Sequence, residues 1–206
     1  MRAIRLFIVT LVLFSATASA QEAYPELPRF QQVTDRLYRG GQPREGGLRR
    51  LRELGINTIV NLRGASKTTR AEEAEARALG FNYFNVALPN WGRPQDARVR
   101  RILLIVAAPQ NGRVFVHCKD GVDRTGTIVA LHRVTHQGWN TSDAMAEAEL
   151  RGMRRIQFWM RDYAEEYPSR AHLFPYEADF GDRIGAGMRV VERGAFTARK
   201  VLGKVF

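Results

Sequence analysis

The 206 residues predict one compact domain with a small extension, and a composition of 45% hydrophobic and 26% charged residues excludes a collagen-like, coiled-coil or wholly disordered chain. The single cysteine, Cys118, excludes a disulfide within the chain and a cysteine-built zinc finger. Lysine and arginine total 32 against 21 acidic residues, and the net charge of +11 favours anionic partners without identifying them.

The first twenty residues have the organisation of a cleavable signal peptide. Two arginines precede an apolar run over residues 6–14, and the small residues 18–20 match a signal peptidase site. The run is shorter than the ~20 apolar residues that span a bilayer as a helix. We therefore expect residues 1–20 to be removed, with a periplasmic or secreted mature chain from about Gln21. An uncleaved N-terminal anchor is the alternative.

The mature chain alternates strands with helices after an extended lead-in. Hydrophobic patterning and turn residues predict strands over 36–39, 56–62, 81–88 and 113–117. They predict helices from near Pro43 to Gly55 and over 68–79, 96–108, 124–137, 141–151 and 153–167, the last ended by Pro168. This alternation predicts an α/β fold, a mostly parallel central sheet flanked by helices. The main domain is expected over residues 21–176, followed by a basic C-terminal extension over 177–206.

The chemistry is concentrated in a loop between the strand ending at His117 and the following helix. Backbone N–H groups in such a loop converge at the positive end of the helix dipole, where they bind a tetrahedral oxyanion such as phosphate. The same surroundings favour the thiolate of Cys118. Arg124 can hold two phosphate oxygens through its planar guanidinium. These groups predict nucleophilic attack on phosphorus through a cysteinyl-phosphate intermediate.

Other residues of the loop complete the predicted phosphate site. Gly121 allows the tight backbone path, and Thr125 places a hydroxyl beside the sulfur, where it can donate to the departing thiolate. The predicted phosphate-binding residues are Lys119, Asp120, Gly121, Val122, Asp123 and Arg124.

His-Cys, five residues and then Arg-Thr-Gly resembles the signature of the protein tyrosine phosphatase superfamily. The chain is most similar to the compact dual-specificity branch of the bacterial and fungal atypical type. Tyr-Arg-Gly-Gly-Gln-Pro at 38–43, Asn-Leu-Arg at 61–63 and Gly-Trp at 138–139 extend the likeness, which covers about residues 34–167. The expected fold therefore contains a phosphatase-like cysteine loop between a strand and a helix, in a dual-specificity-type phosphatase domain.

The resemblance implies roles for individual residues. Cys118 would be the nucleophile, Arg124 the phosphate clamp and Thr125 the supporting hydroxyl, while His117 would order the loop and the cysteine. The activity implied is hydrolysis of phosphate monoesters. A catalytically weak phosphate-binding module and a rhodanese-type sulfurtransferase are the competing interpretations, although rhodanese loops are typically shorter.

The resemblance also implies an aspartate upstream that protonates the leaving group. Asp96 is the only acidic residue between Glu75 and Asp120, and it follows a loop rich in turn residues. It can equally cap the helix that begins there. Asp120 and Asp123 are rivals inside the loop. Asp123 can donate the proton itself, orient the signature arginine or pair with a nearby basic residue.

Basic residues near predicted strand ends bear on the substrate. Lys119 is expected to face the phosphate, and further cations at the predicted strand ends are Arg63, Lys67, Arg70 and Arg93. Their convergence would suit an inositol phosphate or phosphoinositide, while a phosphoprotein carrying Tyr, Ser or Thr phosphate is equally compatible. The alternative is that they are solvated surface arginines and that Arg63 supports the fold.

The sequence predicts no metal, no cofactor and no specific nucleic-acid partner. The expected partner is a phosphorylated protein or a polyphosphorylated small molecule. The basic extension is a candidate for contact with anionic surfaces. No pattern in the sequence indicates an oligomeric state.

Overall fold

The computed structural model describes residues 24–170, so the predicted signal peptide and basic extension lie outside the described residues. The strands of this part are β1 (Gln31–Gln32), β2 (Leu37–Gly40), β3 (Thr58–Asn61), β4 (Asn82–Asn85) and β5 (Val114–His117). The α-helices are α1 (Gly47–Glu53), α2 (Lys67–Ala78), α3 (Asp96–Ala107), α4 (Asp123–Gln137), α5 (Thr141–Leu150) and α6 (Phe158–Arg170). A short 3₁₀ turn, Pro109–Asn111, precedes β5.

The strands form one five-stranded sheet in the order β1-β2-β5-β3-β4. The pairings of β5 with β2 and β3, and of β3 with β4, are parallel, while β1 pairs with β2 antiparallel at the edge. The predicted α/β fold with a mostly parallel, helix-flanked sheet is confirmed. The two-residue strand β1 was expected only as an extended lead-in, because so short a pairing leaves no hydrophobic pattern in the sequence.

Helices cover both faces of the sheet, which explains why its central strands are buried along their whole length. On one face, Ile59 and Phe115 pack with Leu51 of α1 and Ala76 of α2. The alternate strand residues pack on the opposite face with apolar residues of α3, α4, α5 and α6. This arrangement leaves the carboxyl ends of four parallel strands, β2, β5, β3 and β4, together at one edge, where ligands of α/β sheets usually bind.

The last predicted helix is wrong at both of its ends. Residues 153–157 turn instead of continuing a helix, because the N–H of Met153 donates to Ala148 and that of Arg154 donates to the side chain of Asp123. Helix α6 begins only at Phe158, and Pro168 lies inside it rather than ending it. Helix α1 likewise begins at Gly47, several residues after the position expected from Pro43.

None of the helices between residues 24 and 170 combines the length and the hydrophobicity needed to cross a lipid bilayer.

Candidate active site

The cysteine loop leaves the end of β5 at His117 and enters α4 at Asp123. Gly121 has φ +72°, and a Cβ atom at this position would lie 2.4 Å from the carbonyl carbon of Gly40. A side chain there would therefore collide with the backbone of the neighbouring strand, and the left-handed conformation would be strained as well. Glycine is required at this position for both reasons.

The carbonyl oxygens of the loop are held by donors outside the cavity. The Cys118 oxygen lies 3.1 Å from Nδ1 of His117, which must carry the proton in this contact. The remaining acceptor and donor pairs are Lys119 O with Gln42 N (3.0 Å), Asp120 O with Arg29 Nη1 (3.1 Å), Gly121 O with Arg39 Nη2 (2.9 Å) and Val122 O with Gly126 N (2.7 Å). These contacts fix the direction of each peptide plane in turn.

A trans peptide directs its N–H opposite to its C=O, so fixing the carbonyls also aims the amide hydrogens. The N–H of Gly121 donates to the sulfur of Cys118 at 3.2 Å. The amides of Lys119, Asp120, Val122, Asp123 and Arg124 have no acceptor within residues 24–170. Two of them belong to the first turn of α4, whose N–H groups have no partner within the helix. The loop therefore offers several donors to an anion seated above the sulfur.

A cavity of about 200 Å³ opens over Cys118, whose residue is only 3% exposed. The loop contributes Cys118, Lys119, Asp120, Asp123 and Arg124 to its wall, and more distant segments contribute Asn90, Trp91, Arg154, Gln157 and Met160. The guanidinium of Arg124 is steadied by a 3.3 Å hydrogen bond to the carbonyl of Leu62. Cys118 and Arg124 thus line one cavity, at the end of the loop whose amide groups lack acceptors among the described residues.

The two loop aspartates differ in their surroundings. Asp120 is exposed at the cavity wall. Asp123 is buried, and its carboxylate accepts bonds from the backbone N–H and Nε of Arg154, both at 2.9 Å, and from Nη2 of the same residue. This hydrogen-bonded carboxylate raises the pKa of Arg154 above its ordinary value. Asp123 therefore ties the start of α4 to the turn before α6, the basic pairing considered as one of its roles.

Asp96 lies outside the cavity wall. It is the first residue of α3, and one of its carboxylate oxygens accepts a 2.7 Å hydrogen bond from the hydroxyl of Tyr163 in α6. The residue that caps α3 is Gln95, whose side chain makes no capping bond. The structure thus places two of the three candidate acids, Asp120 and Asp123, in the cavity wall, and the third, Asp96, contacts α6.

Residues 86–95, the segment between β4 and α3, contact side chains of α6. The Trp91 and Trp159 rings meet edge to face with centroids 5.4 Å apart. Arg93 pairs with Glu166, with one N–O distance of 3.1 Å. These contacts place Trp91, which is 59% exposed, at the cavity rim.

The remaining residues that the sequence predicted for the site differ in where they lie relative to the cavity. The hydroxyl of Thr125 is buried and has no hydrogen-bond partner in the described part of the chain. Arg63 lies outside the cavity wall and donates to the side chain of Gln42, which in turn anchors the loop through its own N–H. Lys67 and Arg70, expected at a strand end, belong to the start of α2, which begins at Lys67 after its cap Ser66, and neither lines the cavity.

Glu72 of α2 lies beneath the loop and was not anticipated. Its Oε1 atom accepts hydrogen bonds from Asn61 and Tyr83, both at 2.9 Å, and lies 2.9 Å from Nε2 of His117. That last contact is close but poorly aligned for a hydrogen bond, so we treat it as electrostatic. Burial raises the pKa of Glu72, but these neighbours outweigh it and the net pKa lies below the ordinary value.

Arg39 and Arg154 were also missed as site residues. Arg39 belongs to the Tyr-Arg-Gly-Gly-Gln-Pro stretch noticed in the sequence, so that motif was a usable signal for it. No local pattern marks Arg154, because its contact with Asp123 joins segments 31 residues apart.

Comparison with known proteins agrees with this geometry. A family model described as "DSP-PTPase phosphatase fused to NAD+ Kinase" matches residues 18–165. The chain is 30% identical over 146 residues to the dual specificity protein phosphatase TpbA of Pseudomonas aeruginosa strain UCBPP-PA14. That alignment covers 65% of this chain and 64% of TpbA, so the chain spans less than two thirds of that relative's length.

Solved structures share the fold at lower identity. P. aeruginosa TpbA in complex with pTyr has a TM-score of 0.57 and 24% identity, covering 66% of this chain and 82% of that one. The core catalytic domain of the PP-IP phosphatase SIW14 from S. cerevisiae, in complex with citrate, has a TM-score of 0.58 and 21% identity, covering 73% and 96%. Because the family model spans more than half of the residues, the chain belongs to the dual-specificity protein tyrosine phosphatase (DSP-PTPase) family.

Proposed function

We propose that the protein is a cysteine-dependent phosphatase that hydrolyses phosphate monoesters through a cysteinyl-phosphate intermediate. The observation that carries the proposal is the set of loop amides directed at the space above the sulfur of Cys118, with Arg124 beside it. Donors fixed before the substrate arrives stabilise the charge on the phosphoryl oxygens without reorganising during the reaction. Membership of a phosphatase family supports the same conclusion.

In the first step the thiolate of Cys118 attacks phosphorus in line with the ester oxygen. The S–P bond forms as the P–O bond breaks, and the departing oxygen takes a proton from an acid of the protein. The amides and Arg124 hold the three non-bridging oxygens. In the second step water attacks phosphorus and passes a proton to the carboxylate left by the first step, while the S–P bond breaks, so that inorganic phosphate leaves and both the thiolate and the acid are regenerated.

We propose that the proton comes from Asp120, since of the three candidate acids Asp96 lies outside the cavity wall and Asp123 already accepts hydrogen bonds from Arg154. With phenyl phosphate, whose leaving group is poor, Asp120→Asn is expected to lower kcat/KM by about 100-fold, and with p-nitrophenyl phosphate only mildly. Asp96→Asn serves as the comparison and should affect both substrates alike. A loss confined to phenyl phosphate in Asp96→Asn alone would contradict the proposal and restore the upstream acid.

We propose phosphoproteins or inositol phosphates as the substrate class. Lys119 and Arg154 line the cavity with the phosphate clamp, so more than one phosphate could be accommodated, and relatives of the same fold are named for pTyr binding and for PP-IP hydrolysis. Phosphate release should be compared across phosphotyrosine, phosphoserine and phosphothreonine peptides, inositol polyphosphates, phosphoinositides and nucleotides. Release from nucleotides alone would exclude both proposed classes.

We propose that the chain is exported, on the strength of the signal-like residues 1–20. Mass spectrometry of the protein recovered from the periplasm or medium should show a chain beginning near Gln21. Recovery of the unprocessed chain in the cytoplasm would contradict export.

A further inference from the structure

We propose that Arg39 is a positioning residue for the catalytic loop, orienting one of its amides and placing a fixed positive charge beneath bound phosphate. The inference rests on the proposed phosphate-binding function. Arg39 lies near the end of β2, is only 3% exposed, and donates from Nη2 to the carbonyl of Gly121 at 2.9 Å.

The contact acts on the peptide that joins Gly121 to Val122. With its carbonyl held by the buried guanidinium, the N–H of Val122 must point away from Arg39, and it has no acceptor among the described residues. Without that donor the peptide could rotate and present its oxygen to the anion instead of its hydrogen. Rotation would replace an attractive contact with a repulsive one.

Arg39 keeps its charge although it is buried. Desolvation lowers its pKa to about 10, so it remains protonated at neutral pH, with the nearby charges of Glu147 and Cys118 supporting the charged form. The carboxylate of Glu147 is itself held by two hydrogen bonds from Arg133. Among the described residues no carboxylate forms an ion pair with Arg39. A buried cation without a paired carboxylate is costly, and a phosphate dianion above the loop offsets that cost.

Arg36 provides a matched control. It lies three residues earlier in the chain, and its guanidinium also donates to backbone carbonyls, those of Gly112 (3.3 Å) and Ala108 (2.7 Å). These contacts lie away from the phosphate cavity, whose wall does not include Arg36. Loss of either arginine removes hydrogen bonds to backbone carbonyls, but only loss of Arg39 is expected to change anion binding.

The test compares Arg39→Gln, Arg39→Lys and Arg36→Gln in the full chain. Orthovanadate binding is measured by competitive inhibition of p-nitrophenyl phosphate hydrolysis and by thermal shift. Arg39→Gln is expected to weaken vanadate binding by about 10- to 100-fold, and Arg39→Lys, which keeps the charge, to recover part of that loss. Arg36→Gln is expected to lower the melting temperature while leaving vanadate affinity within about twofold.

The proposal is overturned if Arg39→Gln binds vanadate as tightly as the parent, or if Arg39→Lys recovers nothing. Should Arg39→Gln fail to fold, Arg39→Lys decides alone: a vanadate affinity at least about threefold weaker than that of the parent supports the role, and an unchanged affinity refutes it. A parent protein that neither binds vanadate nor releases phosphate would instead refute the proposed function itself.

Discussion

Cys118→Ser is expected to lower turnover of p-nitrophenyl phosphate by about 10⁴-fold or more while leaving orthovanadate binding within about tenfold of the parent. The loop amides and Arg124, which hold the anion, are untouched by the change. The serine hydroxyl is a far weaker nucleophile than a thiolate at neutral pH, so the step that forms the covalent bond fails. Steady-state kinetics and a thermal shift with vanadate measure the two effects separately.

Detection of the cysteinyl-phosphate intermediate is a second measurement that tests the same role of Cys118. Acid quenching of the parent protein during turnover should yield a species heavier by one phosphoryl group, with the modification on Cys118, and the serine variant should lack it. If the variant retains its turnover, the cysteine is not the nucleophile. If the parent binds vanadate but turns over no ester, the interpretation as a catalytically weak phosphate-binding module prevails.

Gly121→Ala is expected to lower kcat/KM by about 100-fold or more and to reduce stability. The added Cβ would lie 2.5 Å from the carbonyl oxygen of Gly40 and 2.5 Å from the nitrogen of Gly41, so the loop must shift away from β2. A shift of that kind displaces the amides that hold the phosphoryl oxygens, and misplacement by about 1 Å can cost a hundredfold in rate. Kinetics and the melting temperature are measured on the purified variant.

Gly138→Ala is the matched control. Gly138 has φ +70°, nearly the same as the +72° of Gly121, but a Cβ there would meet nothing within 4 Å. The control therefore carries the conformational cost of about 1–2 kcal/mol without the collision. It should lower the melting temperature yet retain kcat/KM within about twofold. Equal losses of activity in both variants would show that the close approach of Gly121 to β2 is unimportant.

The contacts between the β4–α3 segment and α6 bear on which residue can donate the proton in the proposed reaction. Trp91, Arg93 and Asp96 each contact an α6 side chain, so the upstream segment is held at the cavity rim rather than free above it. Its contribution to the cavity is an indole ring and Asn90, not a carboxylate. These contacts favour a proton donor inside the cysteine loop over Asp96.

The sequence alone predicted the fold class and the position of the cysteine loop between a strand and a helix. The β-branched strand, the cysteine and arginine six residues apart, and the helix that follows are contiguous, so their geometry is set by local backbone structure. The same local signals placed the strands and helices with modest errors at their ends. They failed at residues 153–157, where a tertiary hydrogen bond to Asp123 replaces a helical one.

Only the tertiary structure decided which residues hold the loop and which residues line the cavity over Cys118. Arg29 reaches Asp120 across 91 residues of sequence and Arg39 reaches Gly121 across 82, and Arg154 closes the far wall. Such contacts leave no periodic or spacing pattern, because they depend on how β2 and α6 pack beside β5 and α4 rather than on neighbouring residues. Local sequence therefore specified the reacting groups, while long-range packing fixed their orientation.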